Sequence, residues 1–179
     1  MPEFHKPVLL KETMALLEPK PGGVFVDATL GGGGHAAHIL AQTAPDGVLI
    51  GIDRDPEAIA FARQSLSDFA DRARLYEANF REIGSIVRAE GRSEVDGIVF
   101  DLGLSSHELE SGRGFSFSRD GPLDMRMCRS HGVTAADVVN RASREELATL
   151  LRTYGEERFA ARIAAEITQI GRASCRERV

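Results

Sequence analysis

Residues 24–55, VFVDATLGGGGHAAHILAQTAPDGVLIGIDRD, leave the chain few ways to fold. Val24, Phe25 and Val26 form a short apolar run that ends in Asp27, and Val48 to Ile52 form a second that ends in Asp53. Between them stand the glycines Gly31, Gly32, Gly33 and Gly34, followed by Ala36, Ala37, Ile39, Leu40 and Ala41 at helical spacing. Apolar runs of this length suit buried strands, and glycine suits a tight turn because it tolerates positive φ. The stretch therefore reads as strand, turn, helix, strand, with both acids at strand ends.

A turn of this kind brings bare backbone N–H groups to a helix N-terminus, where a ligand can approach them closely. Asp53 lies 22 positions after Gly31, and a carboxylate there can accept bonds from ribose hydroxyls. Two cofactor classes fit such a pocket. Gly31, Gly33 and Ala36 satisfy the loose dinucleotide pattern G-x-G-x-x-G/A, which would suit NAD. Asp27, four residues before Gly31, favours S-adenosylmethionine (SAM) instead, because an acid at that strand end can receive the ammonium of the methionine moiety. Thr29 then occupies the place where SAM enzymes often have their first glycine.

The rest of the first 110 residues extends this unit. Apolar residues over 9–17 have helical spacing and stop before Pro19 and Pro21. Asp55 and Pro56 form a helix start, with Ala58, Ile59, Ala62, Leu66 and Phe69 as its buried stripe. A third strand is expected over 73–77, with Asn79 and Phe80 just past it; Phe80 suits either an adenine face or the core. Ile83, Ile86 and Val87 suggest a helix ended by Gly91, and 97–101 a fourth strand ending in Asp101. Strands alternating with helices predict an α/β, Rossmann-like doubly wound parallel sheet, whose ligand lies at the carboxyl ends of the strands. Asp27, Asp53, Phe80 and Asp101 all fall at that edge.

Beyond Asp101 the pattern changes. Residues 113–127 mix Gly, Ser, Pro, arginine and phenylalanine without a period, and arginines interleaved with aromatics suit phosphate contacts and base stacking. The candidate RNA contacts are Arg113, Phe115, Phe117, Arg119 and Arg126. Three helical signals follow: capping boxes at Thr134/Asp137 and Ser143/Glu146, and a run over 156–167. Charge divides in the same place. Residues 1–110 carry 10 Lys/Arg against 18 Asp/Glu, whereas 111–169 carry 9 against 8, so the second part is the one that tolerates a polyanion.

At 179 residues, 42% hydrophobic and 27% charged, the chain has the composition of a soluble globular protein. It shows no 18-residue apolar run and no secretory leader, and Cys128 and Cys175 lie in unrelated contexts. A cytoplasmic protein without a membrane partner is expected. His35 and His38 share a helix face, but no third ligand accompanies them in sequence, and no metal is expected.

Five blocks, DATLGGGGHA, IDRDPEAI, DLGLSS, RGFSFSRDGPLDMRM and TYGEERFAARIA, together resemble the bacterial 16S ribosomal RNA cytosine-N4 methyltransferase family over about residues 4–168. The resemblance implies a class I SAM-dependent methyltransferase with a helical domain inserted after the fourth strand. Its implied substrate is a cytosine in the decoding region of small-subunit ribosomal RNA, with the assembled subunit as a partner and a homodimer as a further expectation. By motif, Gly33, Gly34, His35, Asp53, Phe80, Asp101 and Glu108 would contact SAM; the family usually has glutamine in place of Glu108. The expected divisions are a SAM-binding unit over 1–110 with an incomplete sheet, the start of the inserted domain over 111–169, and a tail over 170–179 unlike the family. Family members are longer, so the rest of the insertion and the closing strands are expected to be missing.

The exocyclic amine of cytosine is a poor nucleophile because its lone pair is delocalised into the ring. A site that methylates it must accept its N–H groups and align nitrogen, methyl and sulfonium. Asp101-Leu102-Gly103-Leu104-Ser105-Ser106 stands where amino-methyltransferases carry a proline-rich catalytic stretch, which makes Asp101, Ser105 and Ser106 the catalytic candidates. The base must be unpaired or flipped, with Phe115 or Phe117 to stack on it. Two alternatives stand beside this reading: an NAD-dependent oxidoreductase built on the same glycine turn, and an RNA-binding fragment without activity.

Overall fold

A computed structural model describes residues 7–104, 109, 112–116, 118–128 and 132–169. The chain divides into two compact units, 1–106 and 107–179.

The first unit is a parallel sheet with helices on both faces. Its elements in chain order are α1 (Leu10–Leu17), β1 (Val24–Asp27), α2 (Gly34–Gln42), β2 (Val48–Asp53), α3 (Pro56–Ser65), β3 (Ala73–Glu77), α4 (Ile83–Ala89) and β4 (Gly97–Val99). The strand order is β3-β2-β1-β4, every pair parallel, with Asp27 beside Gly51 on one side and Val99 on the other. The chain winds outward from β1 through β2 to β3, then returns to place β4 on β1's other side. The crevice between β1 and β4 is therefore a topological switch point, where a ligand of an open α/β sheet binds.

Alternation along the strands builds two cores. Phe25, Leu49 and Val99 face Met14, Ile39, Leu40, Ile59, Ala62 and Leu66 from α1, α2 and the α3 segment. Val26, Ile50 and Ile52 face Ile86 and Val87 of α4 on the opposite side. Each of these fully buried aliphatic side chains contributes about 1.5–3 kcal/mol relative to exposure. Both faces of the central strands are covered, which is why their sequences read as unbroken apolar runs rather than alternating ones.

The helix starts follow the local chemistry. Asp55 accepts the Glu57 N–H at 3.0 Å with Pro56 in the first helical position, as the sequence predicts. The fourth strand is shorter than the expected 97–101. Its last ladder bond is the Ala28 N–H to the Val99 carbonyl, after which the Asp101 N–H turns to a side chain instead of a neighbouring strand.

The second unit contains α5 (Ala135–Arg141), α6 (Arg144–Gly155) and α7 (Ala160–Gln169). Both expected capping boxes are present, at Thr134/Asp137 and Ser143/Glu146. The last helix starts at Ala160, not at 156, because Glu156 adopts a left-handed conformation (φ 50°) that closes α6. Leu147, Ala148 and Ala164 form this unit's own small core.

Candidate functional site

The carboxyl edge of the sheet gathers three acids. Asp27, the last residue of β1, is 1% exposed, and its Oδ1 accepts the Thr29 N–H at 3.2 Å. Burial, reinforced by the nearby charges of Asp53 and Asp101 and opposed by the Thr29 hydrogen bond, pushes its carboxyl up to about 7. Asp53 ends β2 and ties two turns together. Its Oδ2 accepts the Gly31 N–H at 2.8 Å and its Oδ1 the Asp55 N–H at 2.9 Å, which leaves further lone pairs on both oxygens. Asp101 follows β4, on the far side of β1, with its carboxylate about half exposed.

The glycine turn between them is shaped for close approach. Gly33 has φ 83° and is the N-cap of α2, with no side chain capping the helix. A Cβ at Gly33 would come within 3.3 Å of Leu66 in a backbone conformation that L residues rarely adopt. The Gly33 N–H is taken by the Leu30 carbonyl at 2.8 Å, but those of Gly34, His35 and Ala36 in the first turn of α2 find no acceptor among the described residues. Among the described residues these donors are open at the positive end of a helix, an arrangement that suits an anion.

His35 is buried, and its ring does not face those donors. Nε2 donates to the Val8 carbonyl at 3.1 Å, and Nδ1 lies 4.0 Å from Asp101 Oδ2. His38 bonds through Nδ1 to the Gly34 carbonyl at 3.0 Å. Among the described residues no three side chains are grouped to hold a metal. Phe80 is 38% exposed and packs edge-on to Phe100, ring centroids 5.8 Å apart, so it is a rim aromatic rather than a core one.

The structure also brings in a residue that was not singled out as a site residue. Thr29 Oγ1 accepts the Asp101 N–H at 2.7 Å, linking the turn after β1 to the segment after β4.

Within the described part of the second unit, residues 112–116 and 118–128 bury one of the candidate arginines and pair another. Arg113 is 2% exposed and donates through Nη1 to the Met127 carbonyl at 2.9 Å. In this placement the guanidinium is buried as an internal tie of the loop. Arg126 forms a two-pronged pair with Asp124 at 2.7 and 2.9 Å. Gly114, φ 83°, could not be replaced, since a Cβ there would meet the Pro122 carbonyl oxygen at 2.3 Å. Arg119 is exposed and Phe115 half-buried. Ser105, Ser106, Glu108 and Phe117 lie outside the described residues.

Residues 3–177 match the model of the MraW methylase family. The chain belongs to that family.

MraW methylases use SAM as cofactor. Curated relatives named ribosomal RNA small subunit methyltransferase H include one from Syntrophotalea carbinolica, 52% identical over 167 residues, which are 93% of this chain and 53% of that protein. Others are from Symbiobacterium thermophilum, 48% identical over 94% of this chain and 53% of the relative, and from Geobacter sulfurreducens, 51% identical over 92% and 53%. The chain thus spans about half the length of the curated relatives it matches. No helix among the described residues is long and apolar enough to cross a membrane.

Proposed function

We propose that the whole protein carrying this sequence transfers the methyl group of SAM to the exocyclic N4 amine of a cytosine in the decoding region of 16S ribosomal RNA. The observation that carries the reading is the convergence of Asp27, Asp53, Asp101 and the uncapped start of α2 on one switch point in a MraW-family chain.

The residues present fit SAM. The amides of Gly34 and His35 suit its carboxylate, with Gly33 shaping the turn that presents them, and Asp53 keeps lone pairs for ribose hydroxyls while holding Gly31 in place. Phe80 offers a partly exposed ring to the adenine. Gly31 leaves room in front of its backbone, since a Cβ there would meet nothing closer than the Thr29 carbonyl oxygen at 3.9 Å. Asp101 supplies negative potential for the cofactor's positive charges, and Asp27, whose carboxyl is pushed up to about 7, adds to it once ionised. When bound, SAM supplies an electrophilic methyl group. Asp101 accepts an N–H of the cytosine amine and holds that proton as nitrogen gains positive character; its work is positioning and electrostatics. Ser105 and Ser106 belong to the same catalytic stretch, and Glu108 joins the cofactor set.

Residues 1–110 serve the cofactor, while 111–169 begin a helical insertion that meets the RNA. Phe115, Phe117 and Arg119 are its contact candidates, and Arg113 and Arg126 act by shaping the loop. The substrate form is the small ribosomal subunit in the cytoplasm, with a homodimer as the assembly. Membership of a methylase family sets aside the NAD-dependent oxidoreductase, and the fragment that binds RNA without activity becomes an outcome of the experiment.

Calorimetric titration of the chain with SAM, and separately with NAD, tests the pocket. Methyl transfer to small-subunit RNA by the protein at its relatives' length tests the activity. SAM binds, NAD does not, and Asp101→Ala abolishes transfer by about 100-fold or more while the protein stays folded. Binding of NAD in place of SAM, or full activity of Asp101→Ala, would overturn the assignment.

A further inference from the structure

Asp101 lies past the end of the strand that delivers it, so something other than the sheet ladder must fix it. The last ladder bond runs from the Ala28 N–H to the Val99 carbonyl, and Phe100 and Asp101 have no strand partner. The Asp101 N–H is instead accepted by the Thr29 hydroxyl at 2.7 Å. Thr29 is itself fixed, because its own N–H is held by Asp27 Oδ1 at 3.2 Å in a turn closed by the aspartate side chain. As a β-branched residue it has few χ1 options, which sets the direction of its hydroxyl. A glycine at this place would offer the Asp101 amide nothing.

The carboxylate of Asp101 is bounded from a second side. His35 Nε2 bonds to the Val8 carbonyl, and a carbonyl only accepts, so that nitrogen carries the proton. The ring is thereby fixed with Nδ1 toward Asp101 Oδ2, 4.0 Å away. At that distance the contact is a loose electrostatic limit on where the carboxylate swings, not a hydrogen bond.

We propose that Thr29 is a positioning residue for Asp101, holding its backbone through the hydroxyl while His35 bounds its carboxylate. The α2 amides and Asp53 hold the cofactor's carboxylate and ribose without Thr29, so loss of the Thr29 hydroxyl degrades the methyl-transfer step far more than SAM binding. The inference rests on the methyltransferase reading and on Asp101 as the group that meets the amine.

The test uses Thr29→Val, which keeps shape and removes the acceptor, and Thr29→Ser, which keeps the acceptor. In the 179-residue chain, amide exchange at Asp101 accelerates about tenfold or more in Thr29→Val, while Ala28 stays protected and Thr29→Ser resembles the parent. At the relatives' length, kcat for methyl transfer falls roughly 10–100-fold in Thr29→Val, KM for SAM moves less than about threefold, and Thr29→Ser recovers most of the rate. A Thr29→Val protein with parental kcat, or a Thr29→Ser protein as slow as Thr29→Val, would overturn the inference. An equal loss of SAM affinity and rate would likewise overturn it and make Thr29 a binding residue. If the parent binds no SAM, or Asp101→Ala transfers methyl normally, the methyltransferase reading itself fails; parental behaviour of Thr29→Val alongside an inactive Asp101→Ala sinks this inference alone.

Discussion

Carboxylates in the two units differ in how far they reach along the backbone. In the sheet unit, beside local caps such as Asp55 on Glu57 and Glu82 on Asn79, some hold groups far along the chain: Asp53 accepts the N–H of Gly31, 22 residues away, and Asp96 that of Val24, 72 away. In the helical unit they reach three residues and stop, Asp137 closing on Thr134 and Glu146 on Ser143. Ionisation follows the same division. Burial pushes Asp27 up to about 7, whereas hydrogen bonds within their own capping boxes pull Asp137 and Glu146 below the usual carboxylate range. The helical unit draws its order from local sequence. The candidate site exists only when distant segments meet, and it carries a charge the fold resists.

The largest effect that would sharpen this contrast concerns Asp27. Folded Asp27 keeps its proton up to about pH 7 and the unfolded chain only to its ordinary 3.8, so stability from this group is full below the lower value and declines as pH rises across the window. Its full span is on the order of 4 kcal/mol. Urea unfolding at pH 5 and pH 8 should show the decline in the parent and its loss in Asp27→Asn; parallel pH profiles for the two proteins would break the contrast. The caps have the reverse sign, their contribution being present above the ordinary carboxylate range and fading as pH falls through it.

Next in size, Asp53→Ala removes the acceptor shared by Gly31 and Asp55 and should cost on the order of 3 kcal/mol. Faster amide exchange at both residues, together with loss of SAM affinity, is the expected result. Unchanged exchange at Gly31 would show that the turn holds itself.

The smallest is Ser143→Ala, about 1 kcal/mol through loss of an N-cap. Its exchange signature should stay within 143–155 and leave the sheet unit untouched. A matching loss in β1 or β2 would mean that the helical unit's order is not local after all.

Locality also explains what could be read from sequence. Caps, strand-length apolar runs and glycine turns are contiguous signals, so β1, β2, β3, the Asp55 start of α3 and both capping boxes were legible. Asp27 and Asp53 were legible as strand ends, whereas Asp101 lies two residues past the end of β4. The partners of the acids were not legible. Nothing in sequence announces that a hydroxyl at position 29 meets the amide of Asp101, that the His35 ring turns to Val8, or that Arg113 is spent on the Met127 carbonyl. The end of β4 and the start of α7 differ from expectation for the same reason, since each is decided by where a single N–H or a single left-handed residue sends the backbone.

The pairing of β1 with β4 sets an order of assembly. β1, α2 and β2 meet through short separations, but β4 joins β1 only after a loop of some seventy residues has closed, a step whose entropy grows slowly with length yet must be met before the contact repays it. A growing chain that has reached α4 already holds Asp27, Asp53 and the glycine turn. Until Asp101 emerges and folds back against Thr29, it has nothing across the crevice. The turns that carry Asp27 and Asp53 can therefore order before the segment that carries Asp101 has joined them.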